Sequence, residues 1–213
     1  MSSVEETIAI ARAAWREADA LRLAASPLGA MGEWVRSGRA PPLAWFEAAD
    51  FGTVRKAFNR EWGFAIPCAE AVDALARLGP LLEVGAGSGY WSAILAAAGC
   101  DVIATDALAE GNIGYGFHAG RHFAVRQMTA VEAVRAFPHR AVLCSWPTPG
   151  EPWALGAARC AKNVFALVGE PKGGVTGSPG LYRYLATRFD LAHTVAIPQF
   201  PGSRDALSVY RRR

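Results

Sequence analysis

The sequence predicts an α/β protein: a doubly wound, mostly parallel sheet of seven strands with a terminal antiparallel hairpin, preceded by an N-terminal helical cap. Three observations predict it. From Pro80 onward, short apolar runs alternate with helical segments. The first run closes on a glycine turn, Glu83-Val84-Gly85-Ala86-Gly87-Ser88-Gly89-Tyr90, and the second, Val102-Ile103-Ala104-Thr105-Asp106, ends on an acid. The last two runs have no helix between them, and short connections favour antiparallel neighbours. Gly79-Pro80 divides the chain into a cap, 1–79, and a sheet domain, 80–213.

The cap reads as helical. Ser2 and Ser3 each stand three residues before a glutamate, a capping-box spacing. Val4, Ile8, Ala11, Trp15 and Ala18 then recur at three and four residues, which predicts a helix to about Leu23. Pro27, Gly29 and Gly32 interrupt it. Pro41-Pro42 opens a helix through Trp45, Phe46 and Ala49, and Phe51 to Arg60 continues or restarts it. Pro67 opens a helix over Cys68 to Leu78, with Gly79 just past its end. Helical spacing assigns Trp15, Trp34, Trp45 and Phe46 to the core. Predicted strands are Leu81–Gly85, Asp101–Thr105, Phe123–Met128, Ala141–Trp146, Asn163–Gly169, Leu191–Ile197 and Leu207–Arg211. Predicted helices are Tyr90–Ala98, Thr129–Phe137, Pro152–Ala161 and Pro179–Phe189. Leu108 to Arg121 is glycine-rich and reads as a loop or a short helix.

Composition narrows the function. The 213 residues carry a net charge of +3, too small to argue for nucleic acid as partner. Arg211-Arg212-Arg213 reads as a solvated tail. No apolar run reaches bilayer length, so no membrane partner is expected, and the acidic N-terminus predicts a cytoplasmic protein without a leader. Cys68, Cys100, Cys144 and Cys160 form no C-x-x-C pair and have no histidine at ligand spacing, so no metal is expected and all four read as reduced, small buried residues.

The glycine turn points to a nucleoside-bearing cofactor, because glycines let backbone N–H groups approach a ligand at a helix start. The dinucleotide fingerprint needs its third glycine three residues after the second, where this chain has Tyr90. Read alone, the turn also suits a tight strand-to-helix connection with no ligand. Glu83 is expected to point away from the core at the end of its strand.

E-x-G-x-G-x-G, with Asp106 ending the next strand, resembles motif I of class I S-adenosylmethionine-dependent methyltransferases, whose Rossmann-like sheet has the same terminal hairpin. The resemblance runs from Pro80 to the C-terminus. It implies S-adenosylmethionine as cofactor, with Glu83 orienting the methionine end, Gly85, Ala86, Gly87 and Gly89 lining the cofactor, and Asp106 binding the ribose hydroxyls in fork fashion. Ala107 falls beside the adenine. Met128 and Thr129 end the third strand where the adenine is contacted, and Ser145 ends the fourth. More of the chain resembles a scattered, mostly uncharacterised methyltransferase-like family with the pattern W-A-I-P, G-A-G-T-G-Y-W and W-P-P. Here Phe64-Ala65-Ile66-Pro67 replaces the first, Ser88 replaces its threonine, and Trp146-Pro147-Thr148-Pro149 replaces W-P-P.

In that fold the methyl acceptor enters beside the fourth strand's end, here Cys144-Ser145-Trp146-Pro147-Thr148-Pro149. This partly resembles the [DNS]-P-P-[YFW] motif of amino-methyltransferases, and equally reads as a proline-stiffened wall. Trp62, Tyr90, Trp146, Pro147 and Glu170 are the substrate-side candidates. One of Tyr90 and Trp91 is expected to face the pocket and the other the sheet. Glu170 suits an amine contact, a base or a solvated strand end, and Asp205 suits a hairpin cap. His118 and His122 are candidate bases, with weaker claims for His139 and His193, but no catalytic residue is assigned. The resemblance implies methyl transfer to a small-molecule N or O acceptor. The alternative is a non-catalytic module or regulatory subunit that binds S-adenosylmethionine or a related nucleoside.

Overall fold

The computed structural model describes residues 13, 14, 17, 18, 21–49, 51, 52, 54–108, 121–171 and 174–213. Most of the predicted first helix, including Trp15, lies outside them, as do 109–120 with His118. Residues 21–25 are helical. The Ser26 side chain then accepts from the Leu28 amide and caps a 3-10 turn, Pro27–Ala30. That turn leads directly into α1 (Met31–Ser37), so the segment expected to interrupt a helix begins another with Gly32 inside it. The cap continues with α2 (Leu43–Glu47), α3 (Arg55–Glu61) and α4 (Ala69–Ala76).

The sheet domain follows as β1 (Leu81–Val84), α5 (Tyr90–Ala97), β2 (Val102–Asp106), β3 (Val125–Gln127), α6 (Ala130–Ala136), β4 (Ala141–Ser145), α7 (Trp153–Cys160), β5 (Val164–Gly169), α8 (Pro179–Arg188), β6 (Phe189–Ala196) and β7 (Ala206–Arg212). The order across the seven-stranded sheet is β3-β2-β1-β4-β5-β7-β6. β1 pairs in parallel with β2 and β4, whereas β7 runs antiparallel between β5 and β6. β6 starts two residues earlier than expected because Phe189, buried and paired with Arg212, turns straight from helix into strand.

Period-two alternation sorts the strand residues onto two cores. Leu81, Leu143, Ala166 and Val168 face one core with the cap residues Met31, Trp34, Phe58 and Ile66 and with Trp91 and Ile94 of α5. Leu82, Val84, Val142, Cys144, Phe165 and Leu167 face the other, under α6, α7 and α8. The helices before Pro80 and one face of the sheet therefore share a single core. Trp34 and Phe46 are buried as expected, but Trp45 is 43% exposed and packs edge-on against both rings at 5.9 and 5.0 Å. All four cysteines are free thiols, Cys68 and Cys144 buried, Cys100 and Cys160 only half-buried.

β1 is an interior strand, between β2 and β4, and is buried along its length. Its carboxyl end, with those of β2 and β4, opens between the cap and the loop after β4, at the switch point where α/β sheets form a crevice.

Candidate functional site

The turn after β1 holds Gly85, Gly87 and Gly89 at φ of 67°, 55° and 76°, all left-handed. Gly85 meets a second constraint. A Cβ there would lie 2.4 Å from Cη2 of Trp153, the first residue of α7. The glycine turn and the Trp153 ring thus touch without room for a side chain between them.

Asp106 ties this turn to β2. One carboxylate oxygen accepts from the Gly87 amide and the other from the Leu108 amide, both at 2.9 Å. Each oxygen has two lone pairs, so one acceptor site on each is left for a ligand.

Glu83 departs from expectation. It does not turn away from the core but is buried, on the β1 face covered by α5. Its Oε2 accepts from the Ser92 amide at 3.1 Å and the Ser92 hydroxyl at 2.5 Å. Burial, with a smaller push from the nearby Asp106 charge, raises its pKa from the ordinary 4.5 to about 7 against the two Ser92 bonds.

A cavity of about 440 Å³ joins these groups. That size suits a small-molecule site. Among the expected residues it gathers Glu83, Gly85, Ala86, Gly87, Asp106, Ala107, Thr129 and Ser145 from the cofactor set, and Trp62, Tyr90 and Trp146 from the substrate set. Thr129 is also the cap of α6, in a reciprocal capping box with Glu132. Tyr90 lines the cavity while Trp91 enters the core. The Tyr90 hydroxyl donates to the Ala65 carbonyl and accepts from Trp91 Nε1 at 2.7 Å.

Four expected residues lie elsewhere. Gly89 caps α5 and packs beside Phe123 and Val125. Met128 packs toward the core under α6 to α8. Pro147 is buried, its carbonyl accepting from the Gly177 amide at 2.8 Å. Glu170 is neither solvated nor at the cavity. It is buried, and its two oxygens accept from the Val175 amide at 2.5 Å and the Arg204 amide at 3.0 Å, so it fastens two loops together.

Asp205 is likewise not a simple turn cap. It is buried and accepts from Trp146 Nε1 at 2.9 Å, and burial raises its pKa. Trp146 needs such a hold. At φ 53° it is the only left-handed non-glycine residue among those described, a conformation that costs an L-residue about 1–2 kcal/mol. Its amide donates to the Val168 carbonyl at 2.7 Å, and its ring stacks on Phe64 at 4.8 Å with 16° between planes.

Phe64, Thr148, Glu151 and Trp153 also line the cavity. Thr148 belongs to the loop expected to wall the acceptor site, whereas Glu151 and Trp153 carried no such expectation. Trp153 had a signal: Gly85 and a bulky first residue on the helix after β4 are natural neighbours across the β1–β4 pair. His122 stacks on Trp62 at 4.1 Å, and its Nε2 sits 2.8 Å from the Glu61 carbonyl oxygen. Neither His139 nor His193 reaches the cavity.

No family model matches the chain, and no curated protein matches it. Solved structures similar to it include magnesium protoporphyrin IX methyltransferase from Synechocystis with bound S-adenosylmethionine. That chain is 17% identical, with 68% of this chain and 79% of that one covered and a TM-score of 0.44. The N-methyltransferase NodS from Bradyrhizobium japonicum is 13% identical over 67% of this chain and 94% of that one, with a TM-score of 0.42. Precorrin-6y C5,15-methyltransferase from Geobacter metallireducens is 14% identical over 70% and 90%, also with a TM-score of 0.42. The strand order β3-β2-β1-β4-β5-β7-β6, with β7 antiparallel, is that of a doubly wound, Rossmann-like α/β sheet. Among the described residues no helix is long and apolar enough to cross a membrane.

Proposed function

We propose that this protein is an S-adenosylmethionine-dependent methyltransferase acting on a small-molecule N or O acceptor in a cytoplasmic setting. One observation carries the reading: a single cavity brings together the left-handed glycine turn, the buried Glu83 carboxylate and the doubly anchored Asp106.

The residues fit the cofactor. Asp106 is held by two backbone amides and keeps an acceptor site on each oxygen, the match for a vicinal ribose diol. Gly85, Ala86 and Gly87 form a wall with only one side-chain carbon, against which a ligand can lie closely. Glu83 offers a carboxyl group toward the methionine end, and Oε1 takes neither of the Ser92 bonds. When bound, the cofactor supplies an electrophilic methyl group on a sulfonium. The chain's own contribution is to orient that group and to keep bulk water from it with the aromatic wall of Trp62, Phe64, Trp146 and Trp153.

Isothermal titration with S-adenosylhomocysteine tests this. Wild-type protein should bind one equivalent, and Asp106→Ala should weaken binding by about a hundredfold or more, the loss of two hydrogen bonds to a charged acceptor. No heat with wild-type protein, or equal affinity in the variant, contradicts the assignment.

A further inference from the structure

Given the cofactor reading above, the cavity wall left for the acceptor is made by Trp62, Phe64, Trp146, Thr148, Glu151 and Trp153. Four of the six come from one stretch, 145–153, the loop after β4 and the start of α7. Its rings offer faces rather than donors. Trp146 Nε1 is held by Asp205, and Trp153 Nε1 is directed to Thr148 Oγ1 at 3.4 Å. The Phe64–Trp146 stack makes a rigid apolar wall, because both the left-handed backbone and the indole of Trp146 are anchored.

Charge gives the second half of the argument. The acidic side chains lining the cavity are Glu83, Asp106 and Glu151, and no lysine, arginine or histidine lines it among the described residues. Glu83 and Asp106 are committed to hydrogen bonds with Ser92, Gly87 and Leu108. The Glu151 carboxylate is exposed, and none of the hydrogen bonds or ion pairs among the described residues involves it. Among the described residues a ligand carboxylate or phosphate would find carboxyl groups and no basic side chain. A cation would meet electron-rich ring faces and an available carboxylate.

We infer that the acceptor is a compact amine whose apolar body lies on the Phe64–Trp146 wall and whose nitrogen faces Glu151. The site selects against anionic acceptors of the same shape.

The test uses three probes of one shape and different charge: tryptamine (cation), tryptophol (neutral) and indole-3-propionate (anion). Each is titrated calorimetrically into the full-length protein, with and without saturating S-adenosylhomocysteine. Tryptamine should bind about tenfold more tightly than tryptophol, and indole-3-propionate should give no binding. Glu151→Gln should reduce the preference for tryptamine over tryptophol by about threefold or more. Phe64→Ala should weaken all probes that bind. Equal or tighter binding of indole-3-propionate, failure of all three probes, or an unchanged preference in Glu151→Gln overturns the inference. S-adenosylhomocysteine failing to bind overturns the cofactor reading instead, and the probe titrations on ligand-free protein still report the charge preference of the wall.

Discussion

Replacing Glu83 by glutamine should make the protein's stability less dependent on pH, by an amount that follows from burial. Glu83 has a folded pKa of about 7 against an ordinary 4.5. For a carboxyl group whose folded pKa is raised, the folded state holds the proton longer than the unfolded chain. Its stabilising contribution is therefore fully present below about pH 4.5 and is lost as pH rises to about 7. The full loss is on the order of 3 kcal/mol, of which about 2.5 kcal/mol falls between roughly pH 5 and pH 8. Glutamine keeps an oxygen able to accept from both Ser92 donors, so Glu83→Gln adds a constant offset from packing and no titration. Urea unfolding of both proteins at a series of pH values gives the difference directly, and other ionisable groups cancel in it. The variant should gain on the wild type by about 2.5 kcal/mol between roughly pH 5 and pH 8. A difference that stays constant across that range refutes the placement of a desolvated carboxyl at the end of β1.

Two further perturbations probe the walls of the cavity. Gly85→Ala places a β-carbon at φ 67° and 2.4 Å from the Trp153 ring, so Tm should fall by about 4 °C or more. Adding Trp153→Ala should recover the part due to the ring and not the part due to the backbone, which a double-mutant thermal-unfolding cycle separates. Asp205→Ala removes the acceptor of Trp146 Nε1 and should cost about 1–3 kcal/mol in urea unfolding, whereas Asp205→Asn, which keeps an acceptor, should cost less.

Much of this architecture is legible in the sequence, for identifiable reasons. Most strands of the sheet domain are short apolar runs flanked by glycine, proline and polar residues, and two of the helices between them carry a side-chain cap, the Thr129–Glu132 capping box and Ser178 before Pro179. α1 was hidden because Gly32 and the preceding Pro27 and Gly29 resemble a break, while burial of Met31 and Trp34 against the sheet outweighs their weak propensity. At the site, the glycine turn and Asp106 are local in sequence and readable from it. Glu151 is not, because it reaches the cavity through a reversal of the loop after β4 that depends on long-range bonds between Pro147, Gly150 and Gly177. The same limit applies to Glu170 and Asp205. Both are strand-flanking acids in the sequence, and only the folded chain shows their partners, at Val175 and Arg204 for one and at Trp146 for the other.

The central claim is that the cavity at the ends of β1, β2 and β4 holds S-adenosylmethionine with its ribose on Asp106. A crystal structure of the protein with S-adenosylhomocysteine tests it most directly. Ligand density should lie between the Gly85–Gly87 turn and Trp153, with both ribose hydroxyls on the Asp106 carboxylate and the amino-acid end toward Glu83. Density for the ligand outside this cavity, or a ribose that leaves Asp106 bonded only to Gly87 and Leu108, would contradict it.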